Sequence, residues 1–444
     1  HSFPTRRSSD LNRILLNKIQ KTQRSLIMNI VDRFISYTKV NTTTNRENGA
    51  AGIMPSPEGQ RVLALQLVEE LKTLGVEDIK IRDTAIVTAT LPSNLDYEVP
   101  TVAFFGHLDT SAEQTNDTKA QILPYKGGDL CLNKELEIFL RQSEFPELEN
   151  YIGDDIIVTD GTSLLGADDK AAIASIMDML QYFKQHPEVK HGTVKIGFVP
   201  DEEQGLRGAK AFDVTEFGAD FAYTLDCCGI GELVYENWNA GDVEITFIGT
   251  SAHPMSAKGK LKNSLLMAHK FIAMLPGGEA PEYTEGREGY YWVKQLAGNS
   301  ARTVLKMDVR DFTEAGYAHR MAFLKQLSEQ CEALWGEGTV VCKQADRYAN
   351  VFNSLQGENR YPIDIAIDAY KANGITPRPI PMRGGYDGAA LSQKGLPCPN
   401  IFTGAHNFHS IYEYLPVKSL YAASDVLKSV VKITAERFAP GAKA

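Results

Sequence analysis

Residues 101–110 read TVAFFGHLDT: five residues of a compact apolar run, Thr101 to Phe105, followed by Gly106-His107-Leu108-Asp109-Thr110. A short apolar run bounded by glycine reads as a buried strand, and open α/β sheets place their ligand sites at the carboxyl ends of such strands. The same pattern recurs along the chain. Val194 to Val199 runs into Pro200-Asp201-Glu202-Glu203, and Phe221 to Leu225 runs into Asp226. Ile156 to Leu165 runs into Gly166-Ala167-Asp168-Asp169-Lys170 at the mouth of a helical pattern that reaches Phe183. Asn400 to Thr403 leads through Gly404-Ala405-His406-Asn407-Phe408 to His409. Strand-like runs alternating with helical ones predict an α/β fold on a mainly parallel sheet.

Around Gly241 the texture changes. A strand is predicted over 242–248, a helix over 261–275, strands over 290–296 and 303–309, a helix over 315–335 and a strand over 339–343. This β-α-β-β-α-β order is the ferredoxin-like arrangement, which can stand as an inserted domain. The α/β texture resumes near Asn350. The expected division is therefore a discontinuous first domain, 28–239 and 348–444, around an insert at 240–347. Residues 1–27 lack Met and are rich in Arg, Lys and Ser. They could pass for an organelle transit peptide, but Met28 opens an amphipathic run, and 1–27 is read as a non-native or disordered extension.

Composition narrows the function. The 444 residues carry a net charge of −10 and no block of Lys or Arg, so neither a nucleic acid nor an anionic membrane is an expected partner. No apolar run is long enough to span a bilayer. Six cysteines without CxxC spacing indicate neither a disulfide framework nor a thiolate zinc site, and fit a reducing, cytoplasmic location.

What collects at the predicted strand ends is His and carboxylate. His107, Asp168, Glu203, Asp226 and His409 form a donor set suited to zinc, cobalt or manganese, and one bridging carboxylate would give each of two ions three protein ligands. Three carboxylates and a hydroxide would roughly balance two divalent ions. Glu202 and Glu203 are neighbours that point apart in extended chain, so one is expected to ligate and the other to act as a base. Asp109 is placed to accept the second N–H of His107. Each motif has a plainer reading: an acidic helix cap for Asp168-Asp169, a solvated turn for Glu202-Glu203. Their joint occurrence at strand ends favours the metal site.

Taken together, Gly106–Thr110, Leu164–Lys170, Pro200–Glu203, Tyr223–Asp226, Arg383-Gly384-Gly385 with Asp387-Gly388, and Gly395–His409 resemble the di-zinc exopeptidase family that contains carboxypeptidase G and aminoacylase. Within it they resemble the peptidase T branch of tripeptide aminopeptidases. The resemblance implies two zinc ions, one held by His107 and Asp226, the other by Glu203 and His409, with Asp168 as the bridge. It implies Glu202 as general base, Asp109 as the acid residue that orients His107, and a lid and dimerisation role for the insert. His253, in Gly249–Pro254, matches a histidine that polarises the scissile carbonyl and can reach the partner's site in a homodimer; sequence alone reads it as a histidine in a turn. Arg310 and Arg383 match arginines placed near the substrate's terminal carboxylate, although Arg310 also sits between Asp308 and Asp311. The expected substrate is a short peptide. A dipeptidase, an N-acyl-amino-acid amidohydrolase and an inactive zinc-containing peptide-binding protein are the alternatives. Departures from the family pattern, Cys227, Cys228, Met255 and Tyr386, bear on side-chain preference.

Overall fold

The computed structural model describes residues 28–115 and 117–442, so the reading of 1–27 lies outside the described residues. The chain divides into two compact units. One runs to Gly208 and takes in Cys228–Ile230 and the segment from Phe402; the other comprises Ala209–Cys227 and Gly231–Ile401.

In the first unit the strand Val102–His107 is buried along its whole length. It pairs in parallel with Val194–Val199, with His107 opposite Val199. Val87–Leu91 pairs antiparallel on the far side of Val194–Val199, and Glu77–Ile81 pairs antiparallel with Val87–Leu91 at the edge. The α/β architecture is thus the expected one on a mixed sheet, antiparallel where a tight turn at Arg82–Ile86 folds the outer strands together. Helix Ala167–Gln185 is buried on nearly every side, which suits a sequence rich in Ala, Ile and Met. It packs against Val102–His107, against Ile30–Thr38 and against the C-terminal helix Val417–Arg437.

One expected strand is different. The stretch 156–165 is a strand only over Asp155–Val158, and it belongs to a small antiparallel sheet with Gln121–Pro124 and Leu415–Pro416. Asp160-Gly161-Thr162-Ser163 turns the chain away from extended structure; Gly161 has φ +76°, and Thr162 donates to the Asp160 carboxylate.

The second unit carries the strands Phe221–Cys227, Glu232–Glu236 and Arg378–Pro381, and the first two residues of the strand Asn400–Phe402. It also holds a four-stranded antiparallel sheet in the order Tyr290–Gly298, Arg302–Asp311, Asn239–Ile248, Val340–Tyr348. With helices Ser264–Ala273 and Glu314–Trp335 the chain order is the expected β-α-β-β-α-β. Val243, Ile245, Phe247, Leu305, Met307 and Val309 alternate inward against Phe271 and Leu324. The first strand begins before Gly241 rather than after it. A side chain at 241 would meet the Tyr317 hydroxyl at 2.2 Å and the Ala345 carbonyl at 3.0 Å, so the glycine marks close packing within a strand and not a break.

A comparable glycine sits beside the His107 strand. A Cβ at Gly197 would lie 2.2 Å from the buried Phe105 ring. Gly197→Ala is expected to cost about 1–3 kcal/mol through overpacking, whereas Gly277→Ala, which meets nothing within 4 Å, should change stability by less than about 0.5 kcal/mol. Denaturant titration of both variants checks this; equal midpoints would contradict it.

Candidate metal centre

The centre is built where helix Ala167–Gln185 begins. Gly166 precedes it in the left-handed region, φ +76°, and Asp168 departs from helical geometry with ψ 98°. The Asp168–Asp169 peptide is cis. This entry turns the Asp168 carboxylate between two imidazoles: Oδ1 is 2.9 Å from His107 Nε2, and Oδ2 is 3.1 Å from His409 Nε2. Asp169 accepts the His107 backbone N–H at 2.9 Å. Its side chain also explains Gly106, where a Cβ would lie 3.3 Å from Asp169 Oδ2.

His409, itself at φ +63°, faces a second carboxylate, with Glu203 Oε1 2.8 Å from the same Nε2. One ring nitrogen carries at most one proton, so it cannot donate fully to both acceptors. Glu203 Oε1 is buried and has no hydrogen-bond partner. An orphaned carboxylate oxygen facing an imidazole nitrogen is the donor arrangement a divalent cation satisfies. Ligand atoms of Asp168, Glu203 and His409 lie within 4.8 Å of one another, as do those of His107, Asp168 and Asp169. The residues therefore fit two ions sharing Asp168.

Electrostatics agree with that reading. The hydrogen bond to Asp168 and the adjoining Glu203 carboxylate push His409 up to about 11. Burial works against a charged His107, but the Asp169 charge and hydrogen bonds with Asp109 and Asp168 outweigh it and hold this imidazole well above its ordinary value. Burial also opposes ionisation of Asp168, yet its two histidines keep it well below the carboxylate range. Glu203 is pushed up, mainly by burial.

Asp109 is fully buried and does two jobs. Its backbone carbonyl is 3.1 Å from His107 Nδ1 and its Oδ1 is 3.4 Å away, so the main chain rather than the carboxylate is the nearer partner of that ring. The carboxylate accepts the backbone N–H of Glu202 at 2.9 Å and of Glu203 at 3.1 Å. Glu202–Gln204 is a 3₁₀ turn, not extended chain, so the expected opposition of the two side chains does not follow from strand geometry. Each of His107 and His409 has an outer carboxylate: Asp109 for the first, and Glu113, 2.8 Å from His409 Nδ1, for the second.

Sequence reasoning passed over three of these residues. Glu113 has no motif around it. Asp201, fully buried at φ +56°, accepts from Ser56 N and Oγ and from Gln60 Nε2, and pairs with Arg207 at 2.8 Å, which anchors the Glu202-Glu203 turn. Glu413 is buried and accepts three backbone N–H groups, from Leu165, Gly166 and Asp168. The spacing Pro200-Asp201 and His409–Glu413 held the only local signals, a carboxylate beside each ligand.

The remaining predicted residues lie in the second unit. Asp226 ends the strand Phe221–Cys227, and its backbone N–H donates to Asn400 Oδ1 at 2.6 Å. Arg310 Nη1 donates to the Tyr348 hydroxyl at 2.8 Å and Nη2 to Asp308 at 3.3 Å, while its buried Nε has no hydrogen-bond partner. Arg383 stacks 4.8 Å over Trp238 and donates to Thr284 Oγ1 and the Gly286 carbonyl, so protein groups already engage much of its guanidinium. Tyr386 is fully buried and donates to the Cys398 carbonyl, so its bulk fills core. His253 is exposed; its Nδ1 accepts from Met255 N at 3.2 Å, which leaves Nε2 as the protonated nitrogen of the neutral ring.

Comparison with known proteins places these features. The model of Peptidase family M20/M25/M40 matches residues 165–433, and that of Peptidase family M28 matches 87–231. Peptidase T of Caldanaerobacter subterraneus is 43% identical over 406 residues, covering 91% of this chain and 98% of the relative. Peptidase T of a Geobacillus species is 44% identical over the same shares. Among solved structures, aminopeptidase PepT of Bacillus cereus superposes with a TM-score of 0.72 at 23% identity, covering 91% of this chain and 98% of its own. A dinuclear metal-binding peptidase of the M20 family from Bacillus subtilis gives 0.60 at 15%, covering 91% and 96%. The chain is a metallopeptidase of the M20/M25/M40 family and belongs with its peptidase T members.

Proposed function

We propose that this chain hydrolyses the N-terminal peptide bond of short peptides, tripeptides above all, with two zinc ions. The observation that carries the reading is that one buried carboxylate, Asp168, lies between His107 and His409. The peptidase T relatives support the reaction, and a tripeptidase of Staphylococcus aureus with a TM-score of 0.69 at 21% identity shares the fold.

His107, Asp168 and Asp226 are assigned to one ion, and Glu203, Asp168 and His409 to the other. Two such ions, when bound, supply Lewis acidity that activates water and polarises the scissile carbonyl. Glu202 takes the proton from the attacking water and delivers it to the leaving amine. Asp109 holds the turn that carries Glu202 and fixes the orientation of His107. His253 donates from Nε2 toward the developing oxyanion. Its exposure supports supply to a second copy, in a homodimer formed through the lid, 240–347, with 28–239 and 348–444 as the catalytic domain. Arg310, whose buried Nε lacks a hydrogen-bond partner, is the stronger of the two arginines for the substrate carboxylate. The six free cysteines are consistent with a cytoplasmic enzyme.

Matched di-, tri- and tetrapeptides with free and acetylated N-termini test the specificity. Turnover should be greatest for the free tripeptide; hydrolysis of acetylated or dipeptide substrates instead would place the chain with amidohydrolases or dipeptidases. Glu202→Gln should lower kcat by about 10²–10⁴-fold with little change in KM, and wild-type turnover by this variant would remove Glu202 from the reaction. Binding of peptide without hydrolysis by the metal-loaded wild type would indicate an inactive binding protein.

Metal and proton compete for the same imidazole nitrogens. In chelator-treated protein the His409 pK of about 11 against an ordinary 6.5 means the ion pairs stabilise fully below pH 6.5 and fade as pH rises through about 11. Zinc binding at pH 7 should therefore release about two protons, and affinity should rise with pH. Calorimetry in buffers of differing ionisation enthalpy reads the proton count; none released would contradict the protonated pair.

A further inference from the structure

We propose that Glu413 is a positioning residue that sets Asp168 in register between the two histidines. This inference rests on the two-metal reading above. A helix start leaves several backbone N–H groups without intrahelical partners, normally satisfied by Ser, Thr, Asp or Asn at the cap. Here the cap position is Gly166, required by its φ of +76°, and it offers no side chain. The donors are buried, beyond the reach of bulk water. Glu413 replaces the missing cap from 247 residues away: Oε2 accepts Gly166 N at 2.7 Å and Leu165 N at 2.9 Å, and Oε1 accepts Asp168 N at 3.0 Å.

The consequence lies in chain connectivity. Glu413 and His409 share one short segment, held in place by the pairing of Leu415 with Ile157 and of His406 with Tyr414. The segment that delivers one metal-facing histidine thus also grips the backbone of the carboxylate that histidine must meet. Lys170, fully buried in the same turn of helix, donates from Nζ to the Val40 carbonyl at 2.8 Å. A glutamine at 413 would keep the shape but present an amide N–H group to donors, so at least one backbone N–H would lose its acceptor. The contacts of Glu413 are to the backbone of Leu165, Gly166 and Asp168, so its part is to position the Asp168 carboxylate.

The test is calorimetric titration of zinc into the chelated full chain, with melting temperature and tripeptide kinetics measured alongside. Wild type should take up two equivalents. Glu413→Gln should weaken at least one equivalent by about 10–100-fold and lower kcat more than it raises KM. Leu427→Ala, in the buried face of the C-terminal helix and outside the site, controls for general destabilisation and should bind both equivalents as wild type does. Unchanged zinc affinity in Glu413→Gln, or equal weakening in Leu427→Ala at the same loss of melting temperature, would overturn the proposal. Should Glu413→Gln not fold, Glu413→Asp carries the same readout: it keeps the charge but is one methylene short, so intermediate affinity is expected, and wild-type affinity would overturn it. Fewer than two equivalents in the wild type would overturn the two-metal reading itself, and this inference with it.

Discussion

A buried carboxylate needs partners, and Asp168 has them on every side: an imidazole at each oxygen and a backbone N–H held by Glu413. The surrounding structure follows from this constraint. The helix must start in a left-handed glycine, the chain before it must turn rather than run on as a strand, and a remote glutamate must cap what glycine cannot. The parallel pairing of Val102–His107 with Val194–Val199 brings His107 level with Val199, so the Glu202-Glu203 turn emerges beside it. Asp109 then ties that turn down by its backbone, and Asp201 ties it from the other side. Asp109 thus fixes the backbone of the turn that carries Glu202 and Glu203.

Much of the site was legible in the sequence because ligands follow buried strands directly. His107 sits at the end of a fully buried strand, and Glu203 sits a few residues beyond another. The insert was legible because its inward residues alternate, Val243, Ile245, Phe247 and Leu305, Met307, Val309, between two helical periods. The failures have a common cause. Glycine at 241 signals a break by propensity, yet it is required inside a strand by the approach of Tyr317 and Ala345, a contact made by distant residues. Ile156-Ile157-Val158 has strand chemistry in either sheet, and only tertiary pairing decides which one it joins.

The supporting carboxylates were hidden for the same reason. Glu413 and Asp201 bind backbone donors contributed by segments 145 to 248 residues away, and no local spacing encodes such a contact. Arg383 shows the converse. Its glycine-rich setting reads as a binding loop, whereas the structure stacks it on Trp238 and bonds it to the Thr284–Gly286 turn. Residues that speak to a ligand and residues that hold the protein to itself share the same composition here, and only their partners separate them.

If one carboxylate serves two metal ions, anomalous diffraction at the zinc edge from crystals of the zinc-loaded protein should show two peaks flanking Asp168, one beside His107 and the other beside Glu203 and His409. A single peak, or two peaks that do not share Asp168, would contradict it.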